Sequence, residues 1–158
     1  EPAVRIHALG KGPLVPLLAQ LGTAAEFEVA VWSSEPETLD RARPFAAHAH
    51  ALTTPEAFHC GALDRWTAFV SLFHEHEWDP PLIAQALASE SFYVGALGSR
   101  RTAEARCEVL RELGVSEAAI ARLHGPVGLD LGARSPPEIA LAILAQIVQV
   151  RRKGTPRP

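Results

Sequence analysis

Val4-Arg5-Ile6-His7-Ala8-Leu9-Gly10-Lys11-Gly12-Pro13-Leu14-Val15 is the stretch whose reading decides the fold. Residues 4–9 are a short run rich in apolar and β-branched side chains, which predicts a strand, and Gly10-Lys11-Gly12 supplies a turn. Beyond the turn Leu14, Val15, Leu17, Leu18 and Leu21 recur at helical spacing. Pro13 and Pro16 fit that helix only in its first turn, where an absent N–H forfeits no intrahelical bond, and Gly22 is expected to stop it. Phe27-Glu28-Val29-Ala30-Val31-Trp32 alternates and then runs apolar, which predicts a second strand leaving through Ser33-Ser34-Glu35-Pro36. Strand, helix, strand at this spacing is a βαβ unit.

The same order continues outward from this unit. Residues 66–73 form a strongly apolar run and predict a buried strand, with His74-Glu75-His76-Glu77-Trp78-Asp79 as its exit loop. Asp79 before Pro80-Pro81 is the expected N-cap of a helix carrying Leu82, Ile83, Ala86 and Leu87. Residues 91–97 predict another strand, and Gly98-Ser99 opens an arginine-rich helix reaching about Gly114. Ser116 is expected to cap a short helix, and Ser135-Pro136-Pro137-Glu138 has the form of a capping box before a last helix striped with Ile139, Ile143, Leu144, Ile147 and Val150. Only residues 41–62, interrupted by Pro44, Pro55 and scattered histidines, give no clear period. Repeated β-then-α order predicts an α/β fold: a single Rossmann-like three-layer domain with a mostly parallel sheet, spanning residues 1–152, with residues 153–158 as a disordered tail.

Composition narrows the function classes. The chain has 158 residues, 47% of them apolar and 21% charged, which fits one globular domain. No apolar run approaches the roughly 18 residues of a membrane helix, and a net charge of −3 lacks the positive field of a nonspecific nucleic-acid binder. Neither nucleic acid nor membrane is therefore an expected partner. Cys60 and Cys107 stand far apart without CxxC spacing, which argues against a disulfide framework or structural zinc and suits a cytoplasmic setting. There is no charged-then-apolar leader and no methionine, even at position 1, so the chain is expected to be processed or part of something longer.

Ligands of open parallel sheets bind beyond the carboxyl ends of the strands, which selects the loops to examine. Gly10-Lys11-Gly12 begins like a dinucleotide fingerprint, in which glycines let the backbone approach a pyrophosphate. Val15 stands where a third small residue belongs, and Ser33 and Ser34 stand where an NAD site offers a ribose carboxylate, with Glu35 one or two positions late. The alternative reading is a purely structural turn. In the loop 95–101, Gly95, Gly98, Ser99, Arg100 and Arg101 converge on a strand-to-helix junction, where free N–H groups and guanidinium forks attract phosphate. Its bland counterpart has Ser99 merely capping the helix while Arg100 and Arg101 lie on its solvated face or pair with Glu104 and Glu108. His74 and His76 flank Glu75 at the mouth of a strand; they read as a polar loop, a cofactor contact or half of a metal site whose third ligand is not evident, so no metal is assigned. The segment 124–132 concentrates His124, Asp130, three glycines and a proline, the content of a specified loop, although Gly128 and Gly132 also suit plain left-handed turns. Cys107, inside a helix, reads as packing rather than nucleophile. No set of residues composes a catalytic constellation.

Three of these stretches resemble the XdhC/CoxI family: Phe92-Tyr93-Val94-Gly95-Ala96-Leu97-Gly98-Ser99-Arg100-Arg101, then Leu123-His124-Gly125-Pro126-Val127-Gly128-Leu129-Asp130-Leu131-Gly132-Ala133, then Pro137-Glu138-Ile139-Ala140. The likeness runs from about Trp66 to Arg152 and is weak before it. It implies the C-terminal Rossmann domain of an accessory protein that binds molybdenum cofactor (molybdopterin) as cargo. Such proteins protect the cofactor during sulfuration by a cysteine desulfurase and deliver it to a xanthine dehydrogenase-like molybdenum hydroxylase apoenzyme. The first loop departs from the family's Gly-Ala-Gly-His pattern. The resemblance implies a maturation factor rather than an enzyme, and the departures speak against an ordinary nicotinamide site and suit a ligand whose terminal phosphate is held by Arg100 and the amides of Gly98 and Ser99, with the flat pterin nearer His74, His76 and the loop from His124 to Asp130. An NAD(P)-binding oxidoreductase domain and a ligand-free protein-interaction domain are the alternatives, and the sequence leaves both monomer and homodimer open.

Overall fold

A computed structural model describes residues 2–58, 63–74 and 79–154. Continuous apolar runs bury both faces of the strands at 67–72 and 93–96, and the elements follow in the order β1 (Arg5–Gly10), α1 (Leu14–Ala24), β2 (Glu28–Ser33), α2 (Pro36–Ala42), β3 (His48–Ala51), β4 (Thr67–Leu72), α3 (Asp79–Leu87), β5 (Tyr93–Ala96), α4 (Arg100–Glu112), α5 (Glu117–Ile120), β6 (Leu123–His124) and α6 (Pro136–Lys153). The six strands form one sheet in the order β3-β2-β1-β4-β5-β6. Every pairing is parallel, from Ile6 opposite Val29 and Ala68 at the centre to Gly95 opposite His124 at one edge. This is the doubly wound order, whose direction reverses between β1 and β4.

The sheet separates two cores. Ile6, Ala8, Val29, Val31, Val70 and Tyr93 face a layer made by α1, α2 and α6. Leu9, Phe69, Val94 and Ala96 face α3, α4 and α5. Beyond that second layer, the outer face of β1, β2 and β3 carries a hollow of about 280 Å³ edged by Arg5, His7, Glu28, His48 and His50. Trp32 crosses this face, stacked at 4.2 Å on His50 and donating its indole N–H to His7 Nδ1 at 3.1 Å.

Several local expectations change. Helix α1 does not stop at Gly22; it continues to Ala24, and Gly22 is buried where a β-carbon would stand 2.8 Å from Val29 Cγ2. That glycine serves helix-to-strand packing. The irregular stretch contains the end of α2, a 3₁₀ turn (Pro55–Ala57) and the edge strand β3, and β6 is a further short strand. The capping box of α6 is present in full, with Ser135 Oγ accepting from the Glu138 amide and the Glu138 carboxylate accepting from the Ser135 amide. Helix α6 runs to Lys153, and residues 155–158 lie outside the described residues. None of the described helices is long and apolar enough to cross a membrane.

Candidate functional site

At the end of β1 the glycine turn is occupied by the protein itself. The Gly12 amide donates to Thr38 Oγ1 at 2.9 Å, and that hydroxyl donates to Glu35 Oε1 at 2.7 Å. The one carboxylate near a ribose position is thus engaged by a neighbouring helix. Val15 is fully buried against the core, where a dinucleotide site wants a small residue. Gly10, Lys11 and Gly12 form a turn tied to α2 through the Gly12 amide. His74 is exposed just past β4, and His76 lies outside the described residues, as does Cys60.

The junction after β5 is built differently. Ser99 caps α4, its Oγ accepting from the Thr102 amide at 3.2 Å. The capping half of the structural reading holds. Its variant in which the arginines pair with Glu104 and Glu108 does not: Glu108 pairs with Arg111, and among the described residues the Arg100 and Arg101 guanidinium groups make neither ion pair nor hydrogen bond, both side chains lying exposed on the solvated face. Two free guanidinium groups in the first turn oppose the helix dipole unless an anion offsets them.

Arg100 projects into a cavity of about 390 Å³ whose other wall is the loop between β6 and α6, with Val127, Gly128, Leu129 and Asp130 on one side and Ile139 and Ala142 of α6 behind. On its other flank Arg100 joins Arg101 in a broader cleft along α4 that also includes the half-buried Cys107. The loop is anchored from below. Gln146 of α6 accepts the Gly128 amide at 2.9 Å, donates to the Gly128 carbonyl at 3.2 Å, and receives the Tyr93 hydroxyl at 2.6 Å. Gly128 has φ 98°, a left-handed conformation that a side chain would strain. His124 stacks flat on Tyr93 with ring centroids 4.7 Å apart, outside the residues that line the cavity. Burial holds the His124 imidazole below the usual histidine range and pushes the Tyr93 phenol up, so both are neutral near pH 7.

Beneath the β4 and β5 exits lies a buried ion pair that the sequence reading missed. Arg106 Nη2 donates to Asp79 Oδ2 at 2.8 Å and to the Leu97 carbonyl at 2.9 Å, and Ser71 Oγ donates to the same carboxylate at 3.3 Å. Asp79 is the first residue of α3 rather than its N-cap, and its carboxylate turns to Arg106 and Ser71 instead of capping the helix. Asp79 ties α3 to α4 through Arg106 and to β4 through Ser71. Its Oδ1, and Arg106 Nε and Nη1, have no partner among the described residues. The sequence signal for Arg106 and Gln146 was a polar residue set into an apolar helix stripe: Arg106 lies between Ala103 and Leu110, and Gln146 beside Ile143 and Ile147. Among the described residues no group of three His, Cys, Asp or Glu side chains is placed to hold a metal.

The class defined by this geometry is a doubly wound α/β domain with an open cavity at the β5 exit, lined by one arginine and one aspartate. The chain belongs to the XdhC Rossmann domain family, whose model matches residues 6–147. It is 34% identical over 161 residues to the uncharacterized protein YqeB of Escherichia coli (strain K12), covering 95% of this chain and 28% of that protein. It is 37% identical over 89 residues to the molybdenum cofactor insertion chaperone PaoD of the same organism, covering 56% of this chain and 28% of PaoD. The crystal structure of a xanthine dehydrogenase from Bacillus halodurans superimposes with a TM-score of 0.82 at 26% identity, covering 98% of this chain and 44% of that one. The chain thus spans less than half the length of each of these proteins.

Proposed function

We propose that this domain binds molybdenum cofactor as cargo and presents it for insertion into a xanthine dehydrogenase-like molybdenum hydroxylase. The observation that carries this reading is the pair of unpaired guanidinium groups of Arg100 and Arg101 at the start of α4, with Arg100 lining a cavity shared with the 126–133 loop. A terminal phosphate fits there: Arg100 supplies a planar fork for its oxygens, and the Gly98 and Ser99 amides lie at the start of the helix. The apolar side chains of Val127, Leu129 and Ile139 offer surface for a flat ring. Membership of the XdhC family and likeness to a protein named as a molybdenum cofactor insertion chaperone support the identity of the cargo. In the fuller form of the proposal a cysteine desulfurase sulfurates the cofactor while it is held here, before transfer to the apoenzyme.

Equilibrium titration with molybdenum cofactor tests the proposal. Saturable uptake is expected, weakened at least about tenfold in Arg100→Ala, which removes a charge-assisted bond to the phosphate. Binding of NADPH by a protein that takes up no molybdenum cofactor would overturn it.

A further inference from the structure

The cavity that receives Arg100 also contains one carboxylate, Asp130, and the two charges do not neutralise each other. Among the described residues Asp130, like Arg100, makes no ion pair or hydrogen bond, although both line the same cavity of about 390 Å³. The Gly128 turn two residues before Asp130 is fixed on both its N–H and its C=O by Gln146. The cavity therefore combines one cation and one carboxylate with apolar side chains. Such a volume is at the lower end of the range that encloses small organic ligands.

We propose that Asp130 reads the amino-pyrimidinone edge of the cargo and so makes the cavity selective for a pterin. A pterin presents two adjacent donors, the ring N3–H and the exocyclic 2-amino group, and a carboxylate matches them with its two oxygens. A ring carrying an oxygen in place of the amino group turns a lone pair toward the carboxylate and loses one of the two bonds. Arg100 takes the anionic end of the same molecule. This inference rests on the cavity being the cofactor site, and adds to it which residue chooses the ring.

Two stable probes separate the claims: 6-hydroxymethylpterin monophosphate, and the corresponding lumazine monophosphate, in which oxygen replaces the 2-amino group. Calorimetric titration of the wild type is expected to favour the pterin at least about tenfold, as a hydrogen bond to a charged group allows. Asp130→Asn, which keeps the side chain's shape but replaces one acceptor by a donor, is expected to bind both probes within about twofold of each other. Arg100→Ala is expected to weaken both alike. Equal wild-type affinity for the two probes, or a preference unchanged in Asp130→Asn, overturns the role of Asp130 while leaving the cavity intact as a phosphate site. If neither probe binds, or Arg100→Ala leaves both affinities unaltered, the cavity itself is the wrong place and both claims fall. Asp130 is exposed on a loop, so unchanged thermal unfolding of Asp130→Asn verifies that its fold is retained.

Discussion

At Gly95 a β-carbon would stand 2.6 Å from Val127 Cγ2 and 2.8 Å from the Tyr93 ring. The glycine therefore lets the cavity loop settle directly onto β5, with the Val127 amide donating to the Ala96 carbonyl at 3.0 Å. Gly95→Ala is expected to destabilise the protein by about 1–3 kcal/mol, the usual cost of overpacking, and to weaken probe binding by displacing Val127. Thermal unfolding alongside calorimetry checks both effects; unchanged values for both would show that the loop yields freely. At this scale the sequence was informative where charge and glycine coincide, as in Gly98, Ser99 and Arg100. The polar break in the α6 stripe marks Gln146 but not its partners, which are the Gly128 backbone eighteen residues away and the Tyr93 hydroxyl fifty-three away, distances that no spacing rule encodes.

Among elements, the buried Asp79–Arg106 pair decides how α3 and α4 sit on β4 and β5. Removing one partner strands a charge in a site where both side chains are almost fully buried. Arg106→Met alone is expected to cost about 3–5 kcal/mol, whereas Asp79→Leu with Arg106→Met together is expected to be near neutral. Urea denaturation of the single and double variants measures the coupling; additive losses would show that the pair is not a unit. Long, periodic elements such as β4, α4 and α6 were legible because burial imposes their spacing. Strand β3 was not: its sequence His48-Ala49-His50-Ala51 lies on an exposed edge, so only backbone pairing to β2 defines it. Strand β6, two residues long, likewise exists only through β5. Helix α2 was obscured by reading Pro36 as part of a strand exit, although proline suits a first helical turn.

For the whole molecule, acid sensitivity follows from the open face of the sheet. Burial, with Arg5 and His50 nearby, lowers the His7 pKa from 6.5 to about 4, while Glu28 opposes the shift. The unfolded chain thus takes up a proton below about pH 6.5 that the folded chain refuses until about pH 4. Stability contributed by neutral His7 is complete above pH 6.5 and falls progressively toward pH 4, by up to about 3 kcal/mol. Denaturant unfolding at pH 7.5 and pH 4.5 is expected to show this loss, reduced in His7→Gln; an equal loss in that variant would assign the sensitivity elsewhere. The α/β class was legible from alternation alone, but not the hollow beside His7, because no clear period in the stretch between β3 and β4 marks it.

The strand order also sets the tempo of assembly. Strand β1 lies between β2 and β4, so its hydrogen-bonding edge stays open until residues 67–72 have crossed the sheet to reach it. Because all pairings are parallel, none can form through a tight hairpin, and each requires closure of a long loop before any contact rewards it. Refolding from denaturant is accordingly a cooperative search dominated by distant contacts, slower than that of a helical bundle of equal length. The centre of the sheet, against which the cavity-bearing strands align, becomes complete only when the two halves of the chain meet.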